Sequence, residues 1–320
     1  MSIYDARQAM LAVLADPLQP GELALREVPL PSRRDDQALI RVHAISLNAG
    51  ETRTALIADR SYIPGWDFAG VIEEPAADGS SQPRGTRVFG IVPAGAWAQY
   101  VAVSASMMAA LSDSVSFSQA AALPIAAITP LRAQRLAGDI TNKDVLITGA
   151  AGGVGRYACQ LAAHAGARVH AISRRPRLEE LLRKDHVDLV RLFPTMDDAV
   201  QAGDYDYILE SVGGPSLGRA LGSLKRGGVC VSCGNSSDQK TTFEPRDFYL
   251  KADTRLHGLY LGSVFVDCDA SSDLAEIQNL VASGKLSVPI GDERSWNDIQ
   301  QAALDLKGQS IDGKIILHVH

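Results

Sequence analysis

The run Gly149-Ala150-Ala151-Gly152-Gly153-Val154-Gly155 constrains this chain more than any other segment. Before it, Asp144-Val145-Leu146-Ile147 reads as a strand. After it, Val154, Ala158, Leu161, Ala162 and Ala165 fall on one face of a helix. Small residues at a strand end let the backbone turn tightly and let an anion approach closely. The unpaired N–H groups at the helix start then hold its negative charge. Glycines also make ordinary turns. Here, however, a second strand, Arg168-Val169-His170-Ala171-Ile172-Ser173, follows at the distance a βαβ unit requires. The run therefore predicts a parallel sheet that carries a dinucleotide, with Gly149, Ala151, Gly152, Gly153 and Val154 around its pyrophosphate. Gly155 lets the helix pack closely on the sheet.

The end of that second strand bears on which dinucleotide. A site for NAD places Asp or Glu there, to bond the ribose hydroxyls. This chain has Ser173-Arg174-Arg175. A hydroxyl beside two guanidinium groups suits a 2′-phosphate, because arginine offers fixed, bidentate donors. A solvated basic loop ahead of Pro176 is the alternative reading. The sequence favours NADPH.

Elsewhere the chain changes character near residue 120. Residues 11 to 110 break into short strands separated by Pro-, Gly- and Ser-rich loops, with no helix of more than a few turns before about residue 116. Ser116 reads as a helix cap, and a helix is predicted to end at Gly138. Strands and helices then alternate, which implies α/β architecture with a parallel sheet. The tail predicts helices from about Asp273 to Ser283 and after Ser295, and a closing strand Gly313-Lys314-Ile315-Ile316-Leu317-His318-Val319.

The 320 residues are 46% hydrophobic and 21% charged, with a net charge of −6 and no run of like charge. That balance argues against a nucleic-acid partner, whose phosphates call for a concentrated basic surface. No apolar stretch is long enough to cross a membrane. Met1 to Met10 lacks the layout of a secretory signal. Four cysteines, Cys159, Cys230, Cys233 and Cys268, make no disulfide framework, and a reducing cytoplasm is the expected setting. Cys230 and Cys233 lie in one predicted strand, where a spacing of three sends side chains to opposite faces. They are expected to be core thiols, not a metal or redox pair.

Several segments, taken in order, resemble the zinc-free quinone-oxidoreductase (zeta-crystallin-like) branch of the medium-chain dehydrogenase/reductase family. They are Ala44-Ile45-Ser46-Leu47-Asn48, Pro64-Gly65-Trp66-Asp67-Phe68-Ala69-Gly70-Val71, Ala121-Ala122-Leu123-Pro124 through Thr129, the glycine run, Tyr205 to Gly214, and the closing strand. The resemblance spans nearly the whole chain. It implies a GroES-like, mostly β catalytic domain from residues 1–122 and 262–320. A Rossmann doubly wound cofactor domain from 123–261 would be inserted in it, with an active-site cleft between them. It also implies NADPH as cofactor and hydride transfer to a small-molecule conjugated carbonyl: a quinone, an enone or an enoyl thioester. The family is commonly homodimeric through its Rossmann domains.

Zinc-dependent relatives carry cysteine where this chain has Asn48, and His-Glu where it has Trp66-Asp67. A tetrahedral zinc site needs thiolate, imidazole and carboxylate ligands, so no metal is expected. By resemblance, Asn48 lies near the nicotinamide and the substrate carbonyl, where its amide could donate to a developing enolate. A turn cap is the simpler role. Thr129, Val212, Ser232, Gly234 and Asn235 are carried over as cofactor contacts, the last three because they follow a strand end. Many relatives carry Asp and Tyr three and five positions after the asparagine; here Glu51 and Arg53 stand there, and both are catalytic candidates. Arginine stays charged and is a poor proton donor. Water could protonate the enolate, Arg53 could bind an anionic substrate group, or Arg53 could be a surface residue. Trp66 and Tyr260 are candidate stacking surfaces for a flat substrate, or core aromatics. Two rivals stand beside this reading: a free-standing enoyl-thioester reductase, and an NADPH-binding sensor without turnover.

Overall fold

The computed structural model describes residues 9–175, 177–263 and 269–320. Cys268, Pro176 and the opening residues Met1 to Gln8 lie outside them. The chain divides into two compact units. One gathers the described residues of Met1–Ile125, Gly262–Ser283 and Val288–His320; the other gathers those of Ala126–Leu261 and Gly284–Ser287.

The first unit opens with β1 (Ala9–Ala15) and β2 (Leu23–Pro29), paired antiparallel as a small sheet of their own. There follow β3 (Gln37–Ser46), α1 (Ala49–Leu56), β4 (Asp67–Glu74), β5 (Arg87–Ile91), β6 (Tyr100–Ser104) and β7 (Met108–Ala110). Then come α2 (Phe117–Ala121) and α3 (Pro124–Ala137), which runs on into the second unit. Ser116 caps α2 as predicted: its hydroxyl accepts from Gln119 N at 3.1 Å, and the Gln119 side chain accepts from Ser116 N at 2.9 Å. The single helix predicted from Ser116 is two helices. Pro124 has no N–H to continue the first and instead opens the second.

The second unit continues with β8 (Asp144–Ile147), α4 (Gly153–His164), β9 (Arg168–Ile172), α5 (Leu178–Lys184), β10 (Arg191–Phe193), α6 (Met196–Ala202) and β11 (Tyr205–Glu210). It ends with α7 (Gly214–Gly222), β12 (Leu224–Ser232), α8 (Pro245–Tyr249) and β13 (Arg255–Gly258). Its sheet is parallel throughout, in the order β10-β9-β8-β11-β12-β13. The chain moves outward from β8 to β10, returns beside β8 with β11, and then moves outward the other way. The C-terminal ends of β8 and β11 are therefore the switch point at which such sheets bind ligands. Val145, Ile147, Val229 and Val231 pack one face of this sheet; Leu146, Ile208 and Cys230 pack the other. Cys233 packs on the face of Val229 and Val231, opposite Cys230, as the odd spacing requires.

The chain then returns to the first unit with α9 (Ser271–Ala282), β14 (Ile290–Ser295), α10 (Ile299–Lys307) and β15 (Lys314–His318). Ser295 precedes a single 3-10 turn, Trp296–Asp298, before α10 begins. The main sheet of this unit runs β14-β15-β3-β4-β5-β7, with β6 also on β3. β15 pairs antiparallel with β3, matching Ile316 to Ser46. That pairing brings the start of β15 to the end of β3, where the next side chains converge.

Candidate active site and nucleotide platform

In the first unit β3 stops at Ser46, and Asn48 adopts an extended conformation (φ −116°, ψ 143°) ahead of α1. Glu51, one turn into α1, reaches back, and its Oε1 accepts from Asn48 N at 2.8 Å and Asn48 Nδ2 at 2.9 Å. Its Oε2 accepts from Trp66 N at 2.6 Å. Asp67 opens β4. Its Oδ2 accepts from Ser46 Oγ at 2.8 Å and Asn48 Nδ2 at 2.7 Å, and its Oδ1 from Ile125 N at 3.0 Å. Lys314 opens β15. Its Nζ donates to Asn48 Oδ1 at 2.5 Å and Leu47 O at 3.0 Å, and lies 3.5 Å from Asp67 Oδ2. These groups are sealed from water: relative exposures are 0% for Asp67, 3% for Glu51 and Lys314, and 9% for Asn48.

Two carboxylates and one ammonium thus share a site with an amide between them. Burial and the neighbouring Asp67 push the Glu51 carboxyl up to about 8, against the pull of Lys314 and the Asn48 donors. Burial lowers Lys314 from its ordinary value, opposed by Asp67 and Glu51.

The Asn48 amide, carried over as a donor to the substrate, is engaged within the protein in this structure. Both of its hydrogens are committed, one to Glu51 and one to Asp67, and an amide has no third. Arg53 is exposed on α1, in the last turn, where a cation suits the helix dipole. Trp66 is half-buried and lies over the start of α1, with its Cη2 3.0 Å from where a Cβ on Gly50 would sit. Gly65 makes this placement possible. Its φ is +105°, and a Cβ there would fall 2.3 Å from Trp97 Cδ1. Among the described residues, no group of three or more His, Cys, Asp or Glu side chains is placed to hold a metal. Sequence reasoning overlooked Asp67 and Lys314. Their only signal was a charge opening an otherwise apolar strand, in Trp66-Asp67-Phe68-Ala69 and Gly313-Lys314-Ile315-Ile316.

In the second unit the glycine run leaves β8 at the switch point. Gly149 has φ +59°, and Gly152 N donates to Gly149 O at 2.9 Å, closing the turn. The first bond of α4 is Arg156 N to Gly152 O at 2.9 Å, so the N–H groups of Gly153 and Val154 precede the intrahelical ladder. A Cβ on Gly155 would lie 2.3 Å from Gly149 O and 2.6 Å from Ala150 Cα, which explains why only glycine fits. Gly152 and Gly149 are exposed, and Ala151, Gly153 and Val154 half-buried, a small-residue cradle of the kind a pyrophosphate needs.

The end of β9 carries the three residues predicted to choose the cofactor. Ser173 Oγ accepts from Arg175 N at 3.0 Å; Ser173 and Arg175 are half-buried, and Arg174 is exposed. Thr129 is buried on α3. At the end of β11 the fully buried Glu210 carboxylate accepts from Val212 N at 3.0 Å, Gly213 N at 2.9 Å, Ser216 Oγ at 2.9 Å and Thr148 Oγ1 at 3.3 Å. One anion thus fastens the residue before the glycine run to the turn before α7. Ser232 closes β12, and Gly234 and Asn235 follow it and lie against that turn. A Cβ on Gly234 would meet Ser211 O at 2.8 Å, and one on Gly213 would meet Asn235 Oδ1 at 2.1 Å. The structure brings the cofactor candidates at the ends of β8, β11 and β12 onto one edge. Tyr260, 76% exposed, follows the C-terminal end of β13, the strand that pairs with β12, so it belongs to the same edge.

A doubly wound parallel sheet with a glycine turn at its switch point, carried with a GroES-like β unit, defines a nicotinamide-dependent oxidoreductase. Residues 153–282 match the zinc-binding dehydrogenase family, and residues 34–113 match the alcohol dehydrogenase GroES-like domain. The chain belongs to the medium-chain dehydrogenase/reductase family, and the resemblance to its quinone-oxidoreductase branch is borne out. It is 27% identical to the quinone oxidoreductase of Homo sapiens over 319 residues, covering 93% of this chain and 94% of the relative. It is 30% identical to the 2-methylene-furan-3-one reductase of Solanum lycopersicum over 221 residues, covering 64% of this chain and 56% of that enzyme. The structure of the quinone oxidoreductase from Coxiella burnetii superposes with a TM-score of 0.85 at 27% identity, over 98% of this chain and all (100%) of that one. No helix among the described residues is long and apolar enough to cross a membrane.

Proposed function

We propose that this protein is an NADPH-dependent, zinc-independent reductase of a conjugated carbonyl such as a quinone or an enone. The observation that carries the cofactor half is the glycine cradle at the switch point, with Ser173, Arg174 and Arg175 at the end of the neighbouring strand. The cradle suits the pyrophosphate, and the arginines suit a 2′-phosphate. When bound, NADPH would supply the hydride; the chain supplies position and electrostatics. Thr129, Val212, Ser232, Gly234 and Asn235 are the further cofactor contacts of this reading.

Hydride addition to an enone places the negative charge on the carbonyl oxygen, and a proton must follow. In this reading the acid is Glu51, whose carboxyl retains its proton up to about pH 8. Asn48 fixes Glu51 and Asp67 relative to each other. Zinc independence is supported by the donor set: an amide at 48, an indole at 66, and an ammonium, Lys314, already serving the oxygens of Asn48 and Asp67. Trp66 is the aromatic placed beside this network, and Arg53 is the exposed cation on the same helix.

Oxidation of NADPH and NADH by a panel of quinones, enones and enoyl thioesters tests the reading. Quinone- or enone-dependent oxidation, faster with NADPH, is expected. Turnover restricted to acyl thioesters would favour the enoyl-reductase reading, and binding without turnover the sensor. If Arg53 binds an anionic substrate group, Arg53→Ala raises KM strongly; an unchanged KM assigns it to the surface.

The homodimer of this proposal forms through β13, which among the described residues pairs with β12 alone. Leu256 on that strand is 45% exposed; Tyr249 and Leu250 at the end of α8, and Tyr260 just past β13, are 63%, 64% and 76% exposed. Exposed apolar side chains at and near a sheet edge are what a twofold partner would cover. Leu256→Glu should halve the mass measured by light scattering; an unchanged mass refutes pairing at this edge.

A further inference from the structure

We infer that Lys314 is a positioning residue of the candidate active site: its ammonium aims the Asn48 amide at the two buried acidic side chains and supplies the positive charge beside them. Its bearing on catalysis rests on the reductase reading; its bearing on the network does not.

The geometry allows one arrangement. An ammonium has three hydrogens and no lone pair, and Lys314 Nζ has three acceptors in reach: Asn48 Oδ1, Leu47 O and Asp67 Oδ2. Because the ammonium claims Oδ1, the NH2 end of Asn48 must face away from it, toward Glu51 Oε1 and Asp67 Oδ2. The flipped amide would set its oxygen against two carboxylate oxygens and its hydrogens against an ammonium. Lys314 therefore decides which way Asn48 points, at a sequence separation of 266 residues.

Its charge matters as much as its hydrogens. The charged group on β4 that acts on Glu51 is Asp67, and the one on β15 is Lys314. Tyr62, in the loop before β4, feels Glu51 in turn. The Lys314 ammonium is thus the cation that allows two nearly waterless carboxylates to lie together. Without it, Glu51 and Asp67 would lie buried with no cation beside them, and Glu51 would hold its proton to higher pH.

Trp66 gives a readout independent of turnover. Its backbone N–H lies on Glu51 Oε2, and its indole is half-buried, whereas Trp97 and Trp296 are fully buried. Fluorescence of the whole protein without cofactor should change with pH near 8, and Trp66→Phe should remove that transition. Lys314→Met should move it upward by about one pH unit or more, a tenfold change in the acid constant. Lys314→Arg, which keeps the charge, should leave it within about half a unit of the parent. Lys314→Gln, neutral but still able to donate to Asn48, should shift it as the methionine does, and serves if Lys314→Met fails to fold. The pH profile of kcat/KM for NADPH oxidation should move in parallel. A transition that stays in place in both neutral variants overturns the inference, as does an equal shift in Lys314→Arg. A shifted transition in a protein that oxidises no NADPH would leave the inference standing and sink the reductase reading instead.

Discussion

Alanine at Gly155 and at Gly152 should separate packing from cofactor binding within one turn. A Cβ on Gly155 would sit 2.3 Å from Gly149 O, 2.6 Å from Ala150 Cα and 2.9 Å from Gly149 C. All three are backbone atoms, so no rotamer change relieves the clash, and the glycine turn must move off the helix start. Overpacking of this kind costs about 1–3 kcal/mol, and a backbone clash belongs at the upper end. A unit of this size loses about 2–4 °C of melting temperature per kcal/mol, so Gly155→Ala should melt roughly 5–10 °C below the parent. At Gly152 the nearest atom is Gly149 O at 3.3 Å, the site is exposed and φ is −78°, which alanine adopts freely. Gly152→Ala should therefore melt within about 2 °C of the parent, the gain in chain stiffness offsetting the contact. Its methyl group would stand where the pyrophosphate must approach. Titration of NADPH fluorescence should then show Kd raised at least about tenfold, or 1.4 kcal/mol, in both variants. Parent-like NADPH affinity in Gly152→Ala would refute the cradle, and parent-like melting of Gly155→Ala would refute the packing argument.

Glu51 predicts a slope of stability with pH. Its folded value of about 8 lies above the ordinary 4.5, so its contribution is full below about 4.5 and is lost as pH rises through 8. Melting temperature should fall between about pH 4.5 and 8 on this account and level off above, and Glu51→Gln should flatten that fall; an unchanged slope would count against a raised carboxyl. Arg174→Ala with Arg175→Ala should weaken NADPH binding by about tenfold or more while leaving NADH nearly unchanged, since arginine contacts to a phosphate are charge-assisted; equal losses for the two cofactors would reject the 2′-phosphate assignment. Glu210→Gln turns an NH2 group toward backbone N–H groups that now donate to a carboxylate, at a cost of about 1–3 kcal/mol. NADPH Kd should rise with it, measured by the same titration. Burial pushes the Cys159 and Cys233 thiols up to about 12, and Cys230 higher still, so none of these three should react with a thiol reagent at pH 8 until the protein unfolds.

Local pattern carried much of the fold. The glycine run, the helical face that begins at Val154 and the capping box at Ser116 are written in adjacent residues, and each element lies where its pattern placed it. β10 and β13, three and four residues long, are too short for a period to register, and α7 opens on Gly214 and Pro215, which read as a turn. The separate β1–β2 sheet could not be told from the main sheet, because alternation marks a strand but does not name its partner.

The sequence by itself determined the class of chemistry. Glycines that only a close approach to backbone explains, two arginines at a strand end, and Asn48 and Trp66 at positions where zinc relatives hold ligands are all readable one residue at a time. The tertiary structure alone decided which way the Asn48 amide points. Its amide is spent on Glu51 and Asp67, and its oxygen on a lysine from the far end of the chain. A hydrogen-bond capacity is a property of a residue, but whether it is already filled depends on neighbours that only the pairing of β15 with β3 supplies.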